Sequence, residues 1–206
     1  MGARNPITKP AWAPVVAGIV LLAAALLTAG CETVVTTAQL PAVREDAILG
    51  EWKDLGTSNK KPDSNPILIR AADNGYTLGT ADDYAKGIET RFTLSRVGGT
   101  LLAQSVSQDD CDEFGEKGKP CFLLNRVDLS GGRINWYDLD AQRLGRDSFN
   151  GVLQVAHTLH RQRKEDGNTD TAVLLSADAA GLQKFLESYV KQRGVFRLSG
   201  KLERIR

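Results

Sequence analysis

Cys111 and Cys121 enclose the polar stretch DEFGEKGKP, and with Cys31 they are the three thiols of a 206-residue chain that has two histidines, His157 and His160. Thiols, imidazoles and carboxylate clusters are the groups able to hold metals, act as nucleophiles or cross-link a chain, so these positions bound the available chemistry. A zinc site shared by the pair of cysteines and the pair of histidines is disfavoured, because C-x9-C and H-x2-H miss the usual finger spacings. A disulfide is the simpler reading for two cysteines flanking a turn-rich loop, provided the chain reaches an oxidising compartment, and an 11-residue ring is worth roughly 3 kcal/mol in the chain-entropy model. The acidic run Asp109, Asp110, Asp112, Glu113 does not make an EF-hand: with Asp110 first, Phe114 and Cys121 fall where oxygen ligands are required. No G-x-S-x-G, H-E-x-x-H or phosphate-cradling glycine loop is present. A pair of catalytic carboxylates leaves no short sequence trace, so a hydrolase of that type stays open as the alternative.

The elements that must position these groups come from a composition of 42% hydrophobic and 25% charged residues, which fits one globular domain. With 26 basic against 25 acidic side chains and no basic run, the phosphate-neutralising surface of a nucleic-acid binder is missing.

Residues 1–30 read as an export segment rather than as part of the fold. Arg4 and Lys9 precede a charge-free stretch, residues 11–30, that ends in small side chains. Twenty apolar residues would also just cross a bilayer core, but Pro14 disturbs the first turns, and the flat end suits a peptidase that grips extended backbone. A membrane helix and a cleaved soluble product are the competing readings, and each places the domain outside the cytoplasm.

Leu27-Thr28-Ala29-Gly30-Cys31 resembles the lipobox of bacterial lipoproteins, with Thr28 where that family usually has leucine. The resemblance implies a diacylglyceryl group on the Cys31 thiol, cleavage between Gly30 and Cys31, and a fatty acyl chain such as palmitate on the new amine. Glu32 after the cysteine implies sorting to the outer membrane, on its periplasmic side in a Gram-negative envelope. Losing Arg4 and Lys9 leaves 24 basic and 25 acidic side chains, a net charge of −1, so nothing draws the mature protein electrostatically onto anionic lipid. Residues 31–46, broken by Pro41, read as a lipidated tether, and the folded domain as residues 47–206.

From residue 47 to 139 the dominant period is two, which is antiparallel sheet. Asn74-Gly75, Gly98-Gly99 and Gly131-Gly132 are the expected hairpin turns. In one run Ile88, Thr90, Phe92 and Leu94 share a face directed at the core, while Glu89, Arg91, Thr93 and Ser95 share a face directed at water. Residues 140–160 fit a helix or a strand equally well. Over residues 177–193 the period changes: Leu182, Phe185, Leu186, Tyr189 and Val190 form a helical stripe, with Ser176 as N-cap and Gly194 as C-cap. VFRL and LERIR then return the chain to the sheet.

Gly50-Glu51-Trp52 on the first strand of that domain, a run of antiparallel strands, one late helix and a final strand together resemble a lipocalin or related calycin barrel. The resemblance implies that Trp52 packs across the closed end of a barrel beneath an arginine from the C-terminal part, here Arg197 or Arg204, with Gly50 leaving space beside the ring. A T-D-Y signature is absent, Thr80-Ala81-Asp82-Asp83-Tyr84 falling too early, and Trp52 also reads simply as a core aromatic. The fold expected is therefore mainly β, an antiparallel barrel or sandwich with one C-terminal amphipathic helix. The function expected is a non-enzymatic, lipid-anchored envelope lipoprotein, without metal or cofactor, that binds a small apolar ligand or an envelope partner protein. An open apolar cavity would favour the ligand, and paired buried acids in a cleft the hydrolase.

Overall fold

The computed structural model describes residues 32–58, 60–107, 111, 114–116, 118–163 and 169–205. Gly30 and Cys31, the cleavage and lipidation positions, and the acidic positions 109, 110, 112 and 113 lie outside them.

Antiparallel pairing joins β2 (Gly50–Asp54), β3 (Ile67–Ala72), β4 (Gly75–Gly79), β5 (Thr90–Val97), β6 (Thr100–Ser107), β7 (Cys121–Ser130) and β8 (Arg133–Leu139) in a meander. The last strand, β11 (Phe196–Arg204), lies between β8 and β2 and closes an eight-stranded barrel. Closure removes the free edges of these eight strands, which on an open sheet would recruit other chains. The Gly98-Gly99 and Gly131-Gly132 turns have positive φ at both residues, as tight hairpins with right-handed strand twist require. The first hairpin turns one residue earlier than expected, at Asp73-Asn74.

A second layer grows from the barrel. The N-terminal part of β7 pairs with β1 (Thr33–Thr36), which pairs in parallel with β10 (Thr169–Leu175), itself hairpinned to β9 (His157–Arg163). Residues 32–46, expected as part of a tether, are thus not free. Val34, Val35, Thr36 and Leu40 are buried, because β-branched residues at the start of this segment complete a sheet that β8 leaves unpaired. The segment then crosses the outside of the barrel: the Leu40 amide donates to Gln104 Oε1 at 2.7 Å, and the Val43 amide to the Leu94 carbonyl at 2.7 Å.

That crossing corrects the expected wet face of β5. Thr93 is 9% and Ser95 1% exposed, covered from outside, while Ile88 lies before the strand and is 46% exposed.

Three α-helices complete the described chain. Thr80 and Asp83 form a reciprocal capping box at α1 (Ala81–Lys86), and Asp140 caps α2 (Ala141–Phe149). Residues 140–160 therefore divide into a helix and then β9. The late helix, α3 (Ala179–Tyr189), is shorter than residues 177–193, and its N-cap is Asp178, whose carboxylate accepts from the Gly181 amide at 2.7 Å, instead of Ser176. Gly194 has φ +73° but lies past the helix end. Leu182, Phe185, Leu186, Tyr189 and Val190 are all buried, against Val97, Leu102, Leu124 and Leu139 on the outer barrel wall and Val173 and Leu175 of β10. The helix thus covers the barrel from outside.

Cys111 and Cys121 form a disulfide with a Cα–Cα distance of 5.5 Å, fully buried beside Val35 and Leu174, and it ties the connection between β6 and β7. If Cys31 carries the lipid that the sequence leads one to expect, no cysteine of the mature chain is left as a free thiol. Titration of the unfolded, unreduced mature protein with a thiol reagent is expected to find none, and two reactive groups would contradict the pairing.

Candidate functional site

At the lower end of the barrel the chain enters through a 3-10 turn, Asp46–Ile48, that brings Ile48 to 0% and Trp52 to 1% exposure. The Trp52 indole N–H donates to the Ile48 carbonyl at 3.0 Å. Of the two candidate arginines, Arg204 covers the ring, its guanidinium carbon 4.4 Å from the ring centroid. Its Nη1 donates to the Leu49 carbonyl at 3.0 Å and its Nη2 to the Ala47 carbonyl at 2.5 Å. Gly50 has φ +135°, and a Cβ there would stand 2.9 Å from Arg204 Nη1. The space Gly50 leaves is therefore taken by the guanidinium. This end of the barrel is closed by an exposed cation over a buried aromatic face, an arrangement worth about 0.5–1 kcal/mol.

Above this cap the lumen is filled. Ile67, Ile69, Tyr76, Phe92, Leu94, Leu101, Ala103, Val127, Ile134 and Leu202 point inward and are buried together with Trp52. Tyr76 stacks on Phe92 at 5.3 Å, and Phe92 meets Trp136 edge-on at 5.7 Å, so aromatic rings bridge the lumen from wall to wall. An eight-stranded barrel is just wide enough for its own side chains to fill, and here they do.

Where β7 leaves β8 for β1, a cleft of about 30 Å3 is lined by Glu32, Asn125 and Asp138 together with Thr33, Val34, Leu123, Leu124 and Leu139. That is room for a water or two, far below the roughly 300 Å3 at which small-molecule sites begin. Both acids are engaged. Asn125 Nδ2 donates to Asp138 Oδ1 at 2.9 Å, and burial holds the Asp138 carboxyl above the usual carboxylate range despite Ser199, Arg197 and Asn125 pulling the other way. Glu32 accepts from Gln142 through Oε1, while its Oε2 meets the Arg197 guanidinium in an ion pair without hydrogen-bond alignment. Arg197, the other candidate for the tryptophan cap, thus serves the opposite purpose, fixing the first described residue.

One catalytic-looking contact was invisible in the sequence. Ser148 at the end of α2 lies 2.5 Å from His157 Nε2, and His157 Nδ1 lies 2.7 Å from the Val155 carbonyl. A carbonyl only accepts, so Nδ1 carries a proton, and in the neutral ring Nε2 accepts from the serine hydroxyl. The general-base half of a serine nucleophile is present. The amides that follow it are not free to hold an anion: those of Asn150, Gly151 and Val152 already donate to the Arg146, Ser148 and Asp147 carbonyls, and Ser148 sits at the negative end of its helix. No G-x-S-x-G spacing marks this serine, which is why motif reading missed it. His160 lies apart from the pair, its ring 4.7 Å from Phe114, and the described residues hold no cluster of three metal-capable side chains.

No family model, curated protein or solved structure matches the chain.

Proposed function

We propose that this protein is a lipid-anchored, non-enzymatic component of the cell envelope whose barrel is a rigid module for binding another envelope protein. The observation that carries the choice between partner and apolar ligand is the occupied lumen: aromatic and aliphatic side chains fill the volume a fatty acid would need. The anchor at Cys31 and the outer-membrane address rest on the lipobox resemblance and on Glu32. The closed cap of Trp52 and Arg204 supports the lipocalin-like reading of the architecture.

The test is uptake of a fluorescent fatty-acid analogue by the purified domain. No saturable binding is expected, and micromolar uptake displaced by oleate would move the reading to an apolar-ligand carrier. The hydrolase alternative draws on Ser148 and His157. A fluorophosphonate probe is expected to leave Ser148 unlabelled, and labelling lost in Ser148→Ala would establish the alternative.

A further inference from the structure

We propose that the open edge of β9 (His157–Arg163) is where this protein takes up its partner, which adds an extended, acidic segment there as a further strand. The proposal rests on the partner-binding reading of the barrel and goes beyond it by naming the surface and the chemistry of what it holds.

Among the described strands β9 has a neighbour on one side only, whereas barrel closure and the added layer give each of the others two or more. Its pairing with β10 runs over seven consecutive residues without a bulge, and it contains no proline, so these two devices that blunt a sheet edge are missing. The Ser176 amide donates to the Ala156 carbonyl at 2.7 Å, and in an antiparallel pair such bonded positions alternate with unbonded ones. That register turns the backbone N–H and C=O groups of His157, Leu159 and Arg161 away from β10, toward the open side. Donors and acceptors thus repeat along the edge every second residue, the spacing an incoming extended chain matches.

Charge decides what fits this edge. From residue 148 to residue 163 the chain has no carboxylate, while β9 carries two histidines and two arginines. Arg161 is exposed and lies across α2 at Gly145, where a Cβ would stand 3.2 Å from its Nη2. It meets no carboxylate among the described residues, whereas Arg143 on the same helix is paired with Asp147. A second copy of β9 would set like charges against like, which destabilises a strand pair, and an acidic strand gains by the same rule. The start of the edge adds an apolar foothold. Ser148 touches His157, and in the turn that follows Phe149 is 83% and Val152 56% exposed. An extended segment with carboxylates toward one end and a large apolar side chain toward the other meets both features.

The probe is a fluorescent, amidated peptide, Glu-Thr-Glu-Thr-Val-Thr-Phe, titrated with the full, exported chain in mild detergent. Saturable binding by fluorescence anisotropy is expected. It should weaken at least tenfold for the peptide with lysine in place of glutamate, for the peptide N-methylated at its second glutamate and its valine, and for the variants Arg161→Glu and Arg161→Pro. The amide of residue 161 gives nothing to β10, so proline there closes the edge without removing a ladder bond, and thermal melts establish that both variants fold. The methylated peptide applies the same block to the natural chain, so the test does not hang on either variant. Absence of saturable binding, equal binding of the lysine or methylated peptide, or a dimer of the natural chain that Arg161→Pro abolishes would each overturn the proposal, the last by giving the edge to a second copy. Photo-crosslinking residues placed over the exposed surface in the intact envelope separate this failure from that of the partner reading. Protein adducts are expected from position 149; adducts confined to sites away from β9 would overturn the edge and keep a protein partner, and adducts from no site would overturn both.

Discussion

Replacing Trp52 with alanine is expected to destabilise the domain by about 3–5 kcal/mol, the range for truncating a large, fully buried aromatic. The residue is 1% exposed, donates to the Ile48 carbonyl, and is the surface on which Arg204 lies, so its loss opens the closed end of the barrel. Arg204→Ala is expected to cost less, about 1–2 kcal/mol, because it removes one exposed cation from the ring and two donors from the Leu49 and Ala47 carbonyls. Gly50→Ala is expected to displace the same guanidinium. Its cost is accordingly smaller when measured in the Arg204→Ala background, a coupling that only neighbouring groups show. Urea melts with unchanged slope measure all three. A Trp52→Ala loss below about 1 kcal/mol would mean that the cap does not hold the barrel.

Phe185→Ala is expected to cost about 3–5 kcal/mol as well, for a different reason. Phe185 stacks on Tyr189 at 4.9 Å inside the layer that joins α3, the barrel wall and β10, so its cavity would form where two packed units meet. Lys184 next to it is exposed, and Lys184→Ala should stay within about 0.5 kcal/mol. Equal losses for the two variants would refute the helix orientation.

The features legible in the sequence share a property: each is written in a short local pattern. The two-residue period gave antiparallel strands, the paired glycines gave their turns, and the i, i+3, i+4 stripe from Leu182 to Val190 gave the buried face of α3. The disulfide was readable because two cysteines bracket one loop. The GxW text told of Trp52, but only tertiary structure could choose Arg204 over Arg197, since both lie in the last strand and the choice depends on which end of the barrel each reaches.

The misses have physical causes of the same kind in reverse. Val34, Val35 and Thr36 are buried because β7 outruns β8 and offers an unpaired edge, a fact of strand lengths far from them in the chain. Thr93 and Ser95 looked wet because their type is polar, yet both are buried, and the segment after β1 hydrogen-bonds Thr93 through Gln39. Ser148 and His157 meet because α2 packs on β10 and leads into β9, and no residue spacing announces such a contact. The capping box at Thr80 and Asp83 was present in the text and marks α1 plainly once read as a helix start.

The central claim is the lipid on Cys31, since location and the expected absence of a free thiol both follow from it. Metabolic labelling with a fatty acid, comparing the natural chain with Cys31→Ser, tests it most directly, because serine lacks the thiol that accepts the diacylglyceryl group. The account predicts label on the natural chain and none on the variant; label retained by Cys31→Ser, or absent from both, would contradict it.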